Sequence, residues 1–596
     1  MSEEPFVHAP LAWSSELRLV EVLPAREDAT ISVRIRVDAR ATTTPYTALS
    51  YTWGDPEDTV PIRVDGKLFH ITRNLDAALR RFRADLPVQA PTDSASAQGV
   101  TAPWPSNLLW VDALSIDQSN DAEKSSYVAR MYSIYTSATT VFAWLGPEES
   151  NSSLAFDKIH AALSRYHTMT GPKPPETVPR WAAAMLADEL MLCEDDEDDA
   201  KVWEAVQAFF DREWWSRIWI AQEASTSAQT WVVCGRERMG LGDVLTFAVL
   251  MGINEQDDED AASRVYGISS FVYALHTLRS QRGGTSKSEL LDMLISCRHH
   301  DAMDPRDKVY GILGMVSPRS SARLLPDYGK DLVDVYTDVV QYQLETSGYE
   351  GMLDFLGADG LPEGAITGLP SWLPDWRHRD RYHLPFRKVS HNGASTPRPG
   401  RRTSSPCVYA GSGTAEALTA LNIPVTDVAR IEGRCLRVKG YRVGYLHEVQ
   451  PVLEPGKLEA MNTWRESLRK GLYFTGEPEA GAFNRLVTAD LHNGARSDGT
   501  VRDINPEDVL VACSGRRLAR VIQKDWSAEG MALAPQGARS GDEVFVLFGG
   551  QVLYVLRDVG GTYRFLGECY VHGLMDGEVL DILAAGLAEV SEVVIR

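Results

Sequence analysis

Glu223 follows Trp219 by four residues and Trp215 by eight in FFDREWWSRIWIAQEAS (Phe209–Ser225), a spacing that on one helix stacks an acid along a stripe of indoles. A carboxylate seated against such rings loses water, which raises its pKa and suits it to handle a proton. Asp112 and Asp117 are misplaced in another way. They interrupt LLWVDALSIDQ (Leu108–Gln118), whose other residues suit a parallel strand covered on both faces. An ionised carboxylate taken out of water costs several kcal/mol unless it is paired or hydrogen-bonded. These acids therefore find partners in the fold, or they stand at a strand end that faces a cleft.

His299, His300 and Asp301 invite a metal reading, since imidazoles and carboxylates are common ligands. Neighbouring histidines on a helix point about 100° apart, so the run reads as a helix end before a turn at Asp304-Pro305. No metal site is expected. P-loop, H-E-x-x-H and G-x-S-x-G signatures are absent.

The elements that must position the acids alternate between strand and helix patterns from Tyr46 to about Cys234, which favours an α/β sheet. YTALSYTW (Tyr46–Trp53) reads as a strand stopped by Gly54-Asp55-Pro56. IRVDGKLFHI reads as a hairpin turning on Asp65-Gly66, and Leu75, Leu79 and Phe82 give the next helix one apolar face. Asn120 and Glu123 form a capping-box variant ahead of a helix lined by Tyr127, Val128, Met131, Ile134 and Tyr135. TTVFAWLG (Thr139–Gly146) and TWVVCG (Thr230–Gly235) supply further strands. In a doubly wound sheet ligands bind beyond the carboxyl ends of the strands, which here fall at Trp53-Gly54-Asp55, at Asp112 to Gln118 and at Trp144-Leu145-Gly146.

The expected organisation is an N-terminal extension at 1–45, an α/β domain at 46–236 with insertions at 87–105 and 165–205, and a mainly helical region at 237–390. A Gly/Pro/Ser/Arg-rich linker or mobile loop at 391–415 leads to a β-rich α+β module at 416–596. That module ends in an antiparallel meander cut by Gly549-Gly550 and Gly560-Gly561. A chain of 596 residues suits about two to four domains.

A formal net charge of −22, from 60 Lys+Arg against 82 Asp+Glu, opposes binding to nucleic acid or anionic membrane. Part of the excess lies in EDDEDD (Glu194–Asp199) and EQDDED (Glu255–Asp260), which read as solvated loops. Seven scattered cysteines with no C-x-x-C pair disfavour a disulfide framework and a structural zinc site. With neither a signal peptide nor an apolar run long enough to span a bilayer, a cytoplasmic protein is expected.

YTALSYTWGDP, LLWVDALSIDQSNDAEKSSYVARMYSIYTSATTVFAWLG and WWSRIWIAQEAS together resemble the three signature blocks of the fungal heterokaryon incompatibility (HET) domain. DAMDPRDKVYGILGM and the terminal YRFLGECYVHGLMDGE resemble segments that often follow that domain in long fungal members. Ser115 departs from the pattern, standing where the family commonly shows a cysteine, which argues against thiol chemistry there. The resemblance implies self/non-self recognition through protein partners, programmed cell death after incompatible cell fusion, and a TIR-like (flavodoxin-like) parallel sheet flanked by helices. Some TIR domains cleave NAD at the nicotinamide–ribose bond with a glutamate shortly after a tryptophan; the matching pair here is Trp219 and Glu223. Fold does not fix function, so NAD enters as a candidate substrate, with no cofactor expected.

On that reading Glu223 is the candidate catalytic carboxylate, stabilising a ribosyl cation. Trp53, Gly54, Asp55, Asp112, Asp117, Gln118 and Trp219 are the candidate substrate-binding residues, with Trp53 offering a ring to stack on nicotinamide or adenine. The alternative is structural: Asp112 bonded by backbone or by Arg217, Glu223 paired with an arginine such as Arg130, and the unit a non-enzymatic assembly module, as a homo-oligomer or with other proteins.

Overall fold

The computed structural model describes residues 4–12, 16–38, 44–86, 104–171, 197–226, 229–254, 290–298, 300–316, 322–357, 368–377, 411–453, 461, 464–465, 472–492, 495–496, 509, 512–522, 529–586 and 589–596. His299, the acidic run Glu255–Asp260, most of the two expected insertions and the linker up to 410 lie outside the described residues. The chain divides into two compact units, Met1–Asp331 and Leu332–Arg596.

The first unit is built on a nine-stranded sheet. Its strands are β1 (Leu17–Val22), β2 (Ser32–Asp38), β3 (Thr47–Tyr51), β4 (Thr59–Val64), β5 (Lys67–Thr72), β6 (Leu108–Trp110), β7 (Thr140–Trp144), β8 (Thr230–Cys234) and β9 (Glu237–Gly240). They lie in the order β5-β4-β2-β1-β6-β3-β7-β8-β9. The four strands β6, β3, β7 and β8 run parallel at the centre, while β1 joins β6 and β9 joins β8 antiparallel. The sheet is therefore mixed, where a parallel sheet flanked by helices is expected. Residues 1–45 are more than an extension, because β1 and β2 extend the sheet beyond β6.

β3 and β7 are buried at every position, as central strands covered on both faces must be. Phe142 and Trp144 of β7 enter one core with Leu75, Leu79 and Phe82 of α1 (Arg73–Ala84). Ala143 enters the other, beneath α5 (Ser152–Thr170) and the helices Glu197–Phe210 and Leu241–Asn254. The β4–β5 hairpin turns on Asp65 (φ 52°) and Gly66 (φ 81°), both left-handed as the tightest hairpins require.

Two local expectations are corrected. The strand of LLWVDALSIDQ stops at Trp110, because Asp112–Ser115 forms a helical turn, α2. Ser115 donates its backbone N–H to the Val111 carbonyl at 2.7 Å, while its hydroxyl oxygen accepts from Val111 N at 3.2 Å. The chain turns, and the acids face outward from a strand end. Further on, Phe209–Ser225 is not one helix. It breaks into the end of Glu197–Phe210, a 3-10 turn Glu213–Ser216, an extended Arg217 and the helix Ile220–Thr226. A distant segment causes the break, since Asp301 N donates to the Ser216 carbonyl and Ile218 N donates to the Asp301 carbonyl at 2.9 Å.

The helix expected after Asn120 is also two, α3 (Asp121–Val128) and α4 (Met131–Ser137). Asn120 caps α3 by accepting from Glu123 N at 3.1 Å. The Glu123 carboxylate, however, serves Arg18 and Asp117 N rather than reaching back to the cap.

In the second unit the strands are β10 (Ala429–Glu432), β11 (Cys435–His447), β12 (Leu491–His492), β13 (Ala495–Arg496), β14 (Arg516–Ile522), β15 (Gly530–Pro535), β16 (Glu543–Leu547), β17 (Leu553–Asp558), β18 (Tyr563–Val571) and β19 (Ser591–Ile595). β16, β17 and β18 form the expected meander. β11 pairs with β14 and also with β16, so the path β11-β14-β15-β18-β17-β16 closes on itself as a barrel, which removes its edges. No helix among the described residues is long and apolar enough to cross a membrane.

Candidate functional site

Ser50 is the polar residue that starts the site. It lies on β3, fully buried, so both its donor and its acceptor capacity must be met inside the protein. Trp214 Nε1 donates to Ser50 Oγ at 2.8 Å, and the hydroxyl donates to Oε2 of Glu223. Glu223 comes from the helix Ile220–Thr226, which packs against α4, β3 and β7, and it is 3% exposed. Arg217 supplies the opposing charge from the extended step before that helix, with Nη1 3.6 Å from Glu223 Oε2 and donating to the Tyr51 carbonyl. Tyr135 of α4 hydrogen-bonds Glu223 and the Leu49 carbonyl, the latter at 2.9 Å.

Asp112 stands beside this group. Its Oδ2 accepts from Trp53 Nε1 at 2.8 Å, its Oδ1 from Ala113 N at 2.7 Å, and Tyr51 bonds it through the phenol. Gln118 Nε2 donates to the Asp112 carbonyl at 3.1 Å. Residues from β3, from α2 and from the Glu223 helix thus meet beyond the carboxyl ends of β3 and β6.

The electrostatics follow from burial. Desolvation raises the Glu223 pKa, with Asp112 adding to the rise, and Arg217, Ser50 and Tyr135 only partly offset it. Burial also pushes the Tyr51 and Tyr135 phenols well above their ordinary range, helped by the charges of Asp112 and Glu223. Such a centre can keep a carboxyl protonated at higher pH than usual, or present it as a poorly hydrated anion to a developing cation.

Other predicted residues stand elsewhere. Gly54 takes the left-handed conformation (φ 75°) needed to turn the chain after Trp53, and Asp55 caps the following turn by accepting from Glu57 N at 2.9 Å. Asp117 belongs to a separate cavity of 240 Å³ with His8, Arg18, Tyr127 and Arg130. The Ser119 hydroxyl, 2.6 Å away, leads the contacts that hold the Asp117 carboxyl below its ordinary range. Arg130, expected as a partner for Glu223, lies instead over the Tyr127 ring at 4.7 Å. Trp219 does not stack with Trp215 along one helix. Its indole donates to Asp307 Oδ2 at 3.3 Å.

Ser50, Tyr51 and Trp214 are not among the site residues expected from the sequence, and Tyr135 is expected only on an apolar helix face. Nothing in the run TALSY sets Ser50 apart, since Thr47 and Tyr51 carry hydroxyls as well.

The segment Asp301–Met315 completes the site from outside. Gln222 Nε2 donates to the Tyr310 and Gly311 carbonyls at 3.2 and 2.7 Å, and Gly314 lies close against Tyr132 and Gln222. Of the expected His-His-Asp run, His300 is buried with Nδ1 3.1 Å from the Cys297 carbonyl. Among the described residues no cluster of His, Cys, Asp and Glu is arranged to hold a metal.

Asp307 gives a pH prediction. Burial raises its pKa to about 6 although Tyr328 donates to it at 2.6 Å. The folded chain therefore holds that proton up to about pH 6, whereas the unfolded chain loses it in the ordinary carboxylate range. The group's stabilising contribution is full at low pH and is lost as pH rises through about 6. Asp307→Asn is expected to raise stability above pH 7 by up to about 3 kcal/mol, with the gain vanishing near pH 4. Melting temperatures of both chains across pH 4–8 check this; a gap that does not change with pH contradicts it.

Residues 46–223 match the family described as Heterokaryon incompatibility protein (HET), and residues 513–584 match the Het-6 beta-barrel domain. The chain is 24% identical over 640 residues to heterokaryon incompatibility protein 6, OR allele, of Neurospora crassa, with 90% of each chain covered. No solved structure gives a significant match. The first match ends at Glu223, so the segment Asp301–Met315 that braces the Glu223 helix lies beyond it.

Proposed function

We propose that this chain, which carries a HET domain at residues 46–223 and a Het-6 barrel domain at residues 513–584, is a cytoplasmic effector of fungal heterokaryon incompatibility that triggers programmed cell death after non-self recognition, and that it does so by hydrolysing NAD at the Glu223 centre. The part in incompatibility rests on the HET domain and on the relative from Neurospora crassa. The chemistry rests on one observation: Asp112 and the pair Arg217 and Glu223, about a hundred residues further on, gather around Tyr51 at the carboxyl ends of the parallel strands.

In this reading the nicotinamide–ribose bond breaks with its electron pair passing to nicotinamide. The ionised Glu223 stabilises the ribosyl cation left behind, and water then adds to that cation and releases a proton. Trp53, fixed through its indole N–H by Asp112, supplies the ring that stacks on a base. Glu223 is 3% exposed, so a dinucleotide reaches it only when the groups that bury it move.

That same burial favours a second reading, in which Glu223 is a structural anchor and the unit kills or signals by assembly through protein–protein contacts. Nicotinamide release from NAD by the purified full chain, beside Glu223→Gln, separates the two. The hydrolase reading expects turnover that falls by about 10²-fold or more in the variant. Equal, negligible turnover by both chains rejects it and leaves assembly.

A further inference from the structure

The cavity of 240 Å³ in the first unit is framed by the N-terminal segment, β1, the Asp117 turn and α3, and none of its lining residues belongs to the Glu223 centre. Two of the charges on its wall serve the fold. Arg18 of β1 is buried, and a guanidinium taken out of water must be engaged. It meets both carboxylate oxygens of Glu123 and donates to the Ala9 and Ser115 carbonyls at 2.7 and 3.0 Å. Glu123 in turn accepts from Asp117 N at 2.8 Å. That pair is closed and internally neutral.

The other two charges are left open. Arg130 stands at the break between α3 and α4. Its Nε donates to the Ser126 carbonyl at 3.3 Å, while Nη1 and Nη2 meet no acceptor among the described residues. Asp117 is held as an anion by Ser119, whose hydroxyl and backbone N–H both donate to Oδ1, at 2.6 and 3.1 Å. Its Oδ2 accepts no hydrogen bond from the described residues. A cation and an anion therefore line one cavity without pairing with each other.

Tyr127 points to a ligand independently of these charges. It sits one helical turn after Glu123 on α3, lines the same cavity and is fully buried. Burial raises its phenol pKa, so the hydroxyl keeps its proton. The Arg18 backbone N–H approaches the oxygen as a donor, and the proton itself finds no acceptor among the described residues. Buried donors left in this state are rare in native proteins, which calls for an acceptor that the chain does not supply.

The planar guanidinium of Arg130 and the Tyr127 O–H both offer donors, the set that a carboxylate accepts from. Asp117 offers the opposite, an ionised acceptor that suits an ammonium group. Over the wall as a whole the two guanidinium groups and the two carboxylates cancel, which disfavours a polyanion or a simple cation and suits a zwitterion. At about 30 Å³ for each water-sized group, the cavity takes a ligand of about eight non-hydrogen atoms, and Pro10 and Leu11 add apolar wall for an uncharged side chain.

We propose that this cavity binds a free α-amino acid with a small uncharged side chain, its carboxylate held by Arg130 and Tyr127 and its ammonium group by Asp117. The site does not depend on the chemistry at Glu223. Calorimetric titration of the full chain with L-valine, L-serine and L-glutamine tests it, with isovalerate and isobutylamine as valine analogues that each lack one of the two charges. At least one amino acid is expected to bind at millimolar concentration or below, and at least about tenfold more tightly than either analogue. Arg130→Gln, which breaks no ion pair, and Asp117→Asn, which leaves Ser119 an acceptor, are each expected to weaken binding about tenfold or more in chains that remain folded. Tyr127→Phe should weaken it several-fold, and Glu223→Gln not at all. No heat from any of the three amino acids, equal affinity for isovalerate or isobutylamine, or undiminished binding by folded Arg130→Gln and Asp117→Asn chains overturns the assignment.

Discussion

Replacing Arg217 with methionine is expected to destabilise the first unit by about 3–5 kcal/mol at pH 8, because it leaves Glu223 buried without its cation. Ser50 would still donate to the carboxylate, but one hydrogen bond does not replace a charge where water is excluded. The loss should depend on pH in a defined direction. Burial already raises the Glu223 pKa, and removing Arg217 raises it further, so the folded variant gains a proton more readily than the unfolded chain. Stability of the variant is then best at low pH and falls as pH rises through that raised pKa. Urea denaturation at pH 5 and pH 8 measures it: a deficit that shrinks at pH 5 is expected, and an equal deficit at both contradicts the pairing.

Gly314→Ala is the second large effect. A Cβ at this position would lie 2.2 Å from the Tyr132 Cβ and 2.8 Å from Gln222 Oε1, too close for either to remain in place. Tyr132 belongs to α4 and Gln222 to the helix of Glu223, so relief requires one of those helices to shift. Overpacking of this kind costs about 1–3 kcal/mol, and a clash with an atom next to the backbone belongs at the upper end. Gly242→Ala, at a position with nothing near its Cβ, should cost little and serves as the control. Thermal melts of the two variants decide the matter; similar losses would show that Asp301–Met315 does not brace the Glu223 helix.

Elements whose signal is local were legible. The burial of β3 and β7, the Asp65-Gly66 hairpin, the apolar face of α1 and the β16–β18 meander each follow from side-chain periodicity or turn residues within a few positions. What escaped depends on distant partners. Nothing near Arg217 announces that Asp301 will pair with its backbone and end the helix expected to carry Trp215, Trp219 and Glu223 on one stripe. The place of Leu17–Val22 in the sheet depends on its pairing with β6, and barrel closure depends on β11 meeting β16 across about a hundred residues.

The site divides in the same way. Asp112 and Glu223 stood out because acids among apolar neighbours need a reason, and the structure gathers them near one arginine. Asp117 lies only five residues beyond Asp112, yet α2 turns the chain and sends it to the His8–Arg18 cavity. Ser50, Trp214 and Tyr135 carry no individual mark of their part; it arises from three-dimensional proximity to Glu223.

Toxicity on expression in a fungal host tests most directly whether the HET unit acts through Glu223. With Glu223→Gln, an isosteric change that keeps an acceptor for Ser50, killing is expected to be lost while accumulation and melting temperature of the protein stay close to those of the parent chain. Undiminished killing by the folded variant would contradict it.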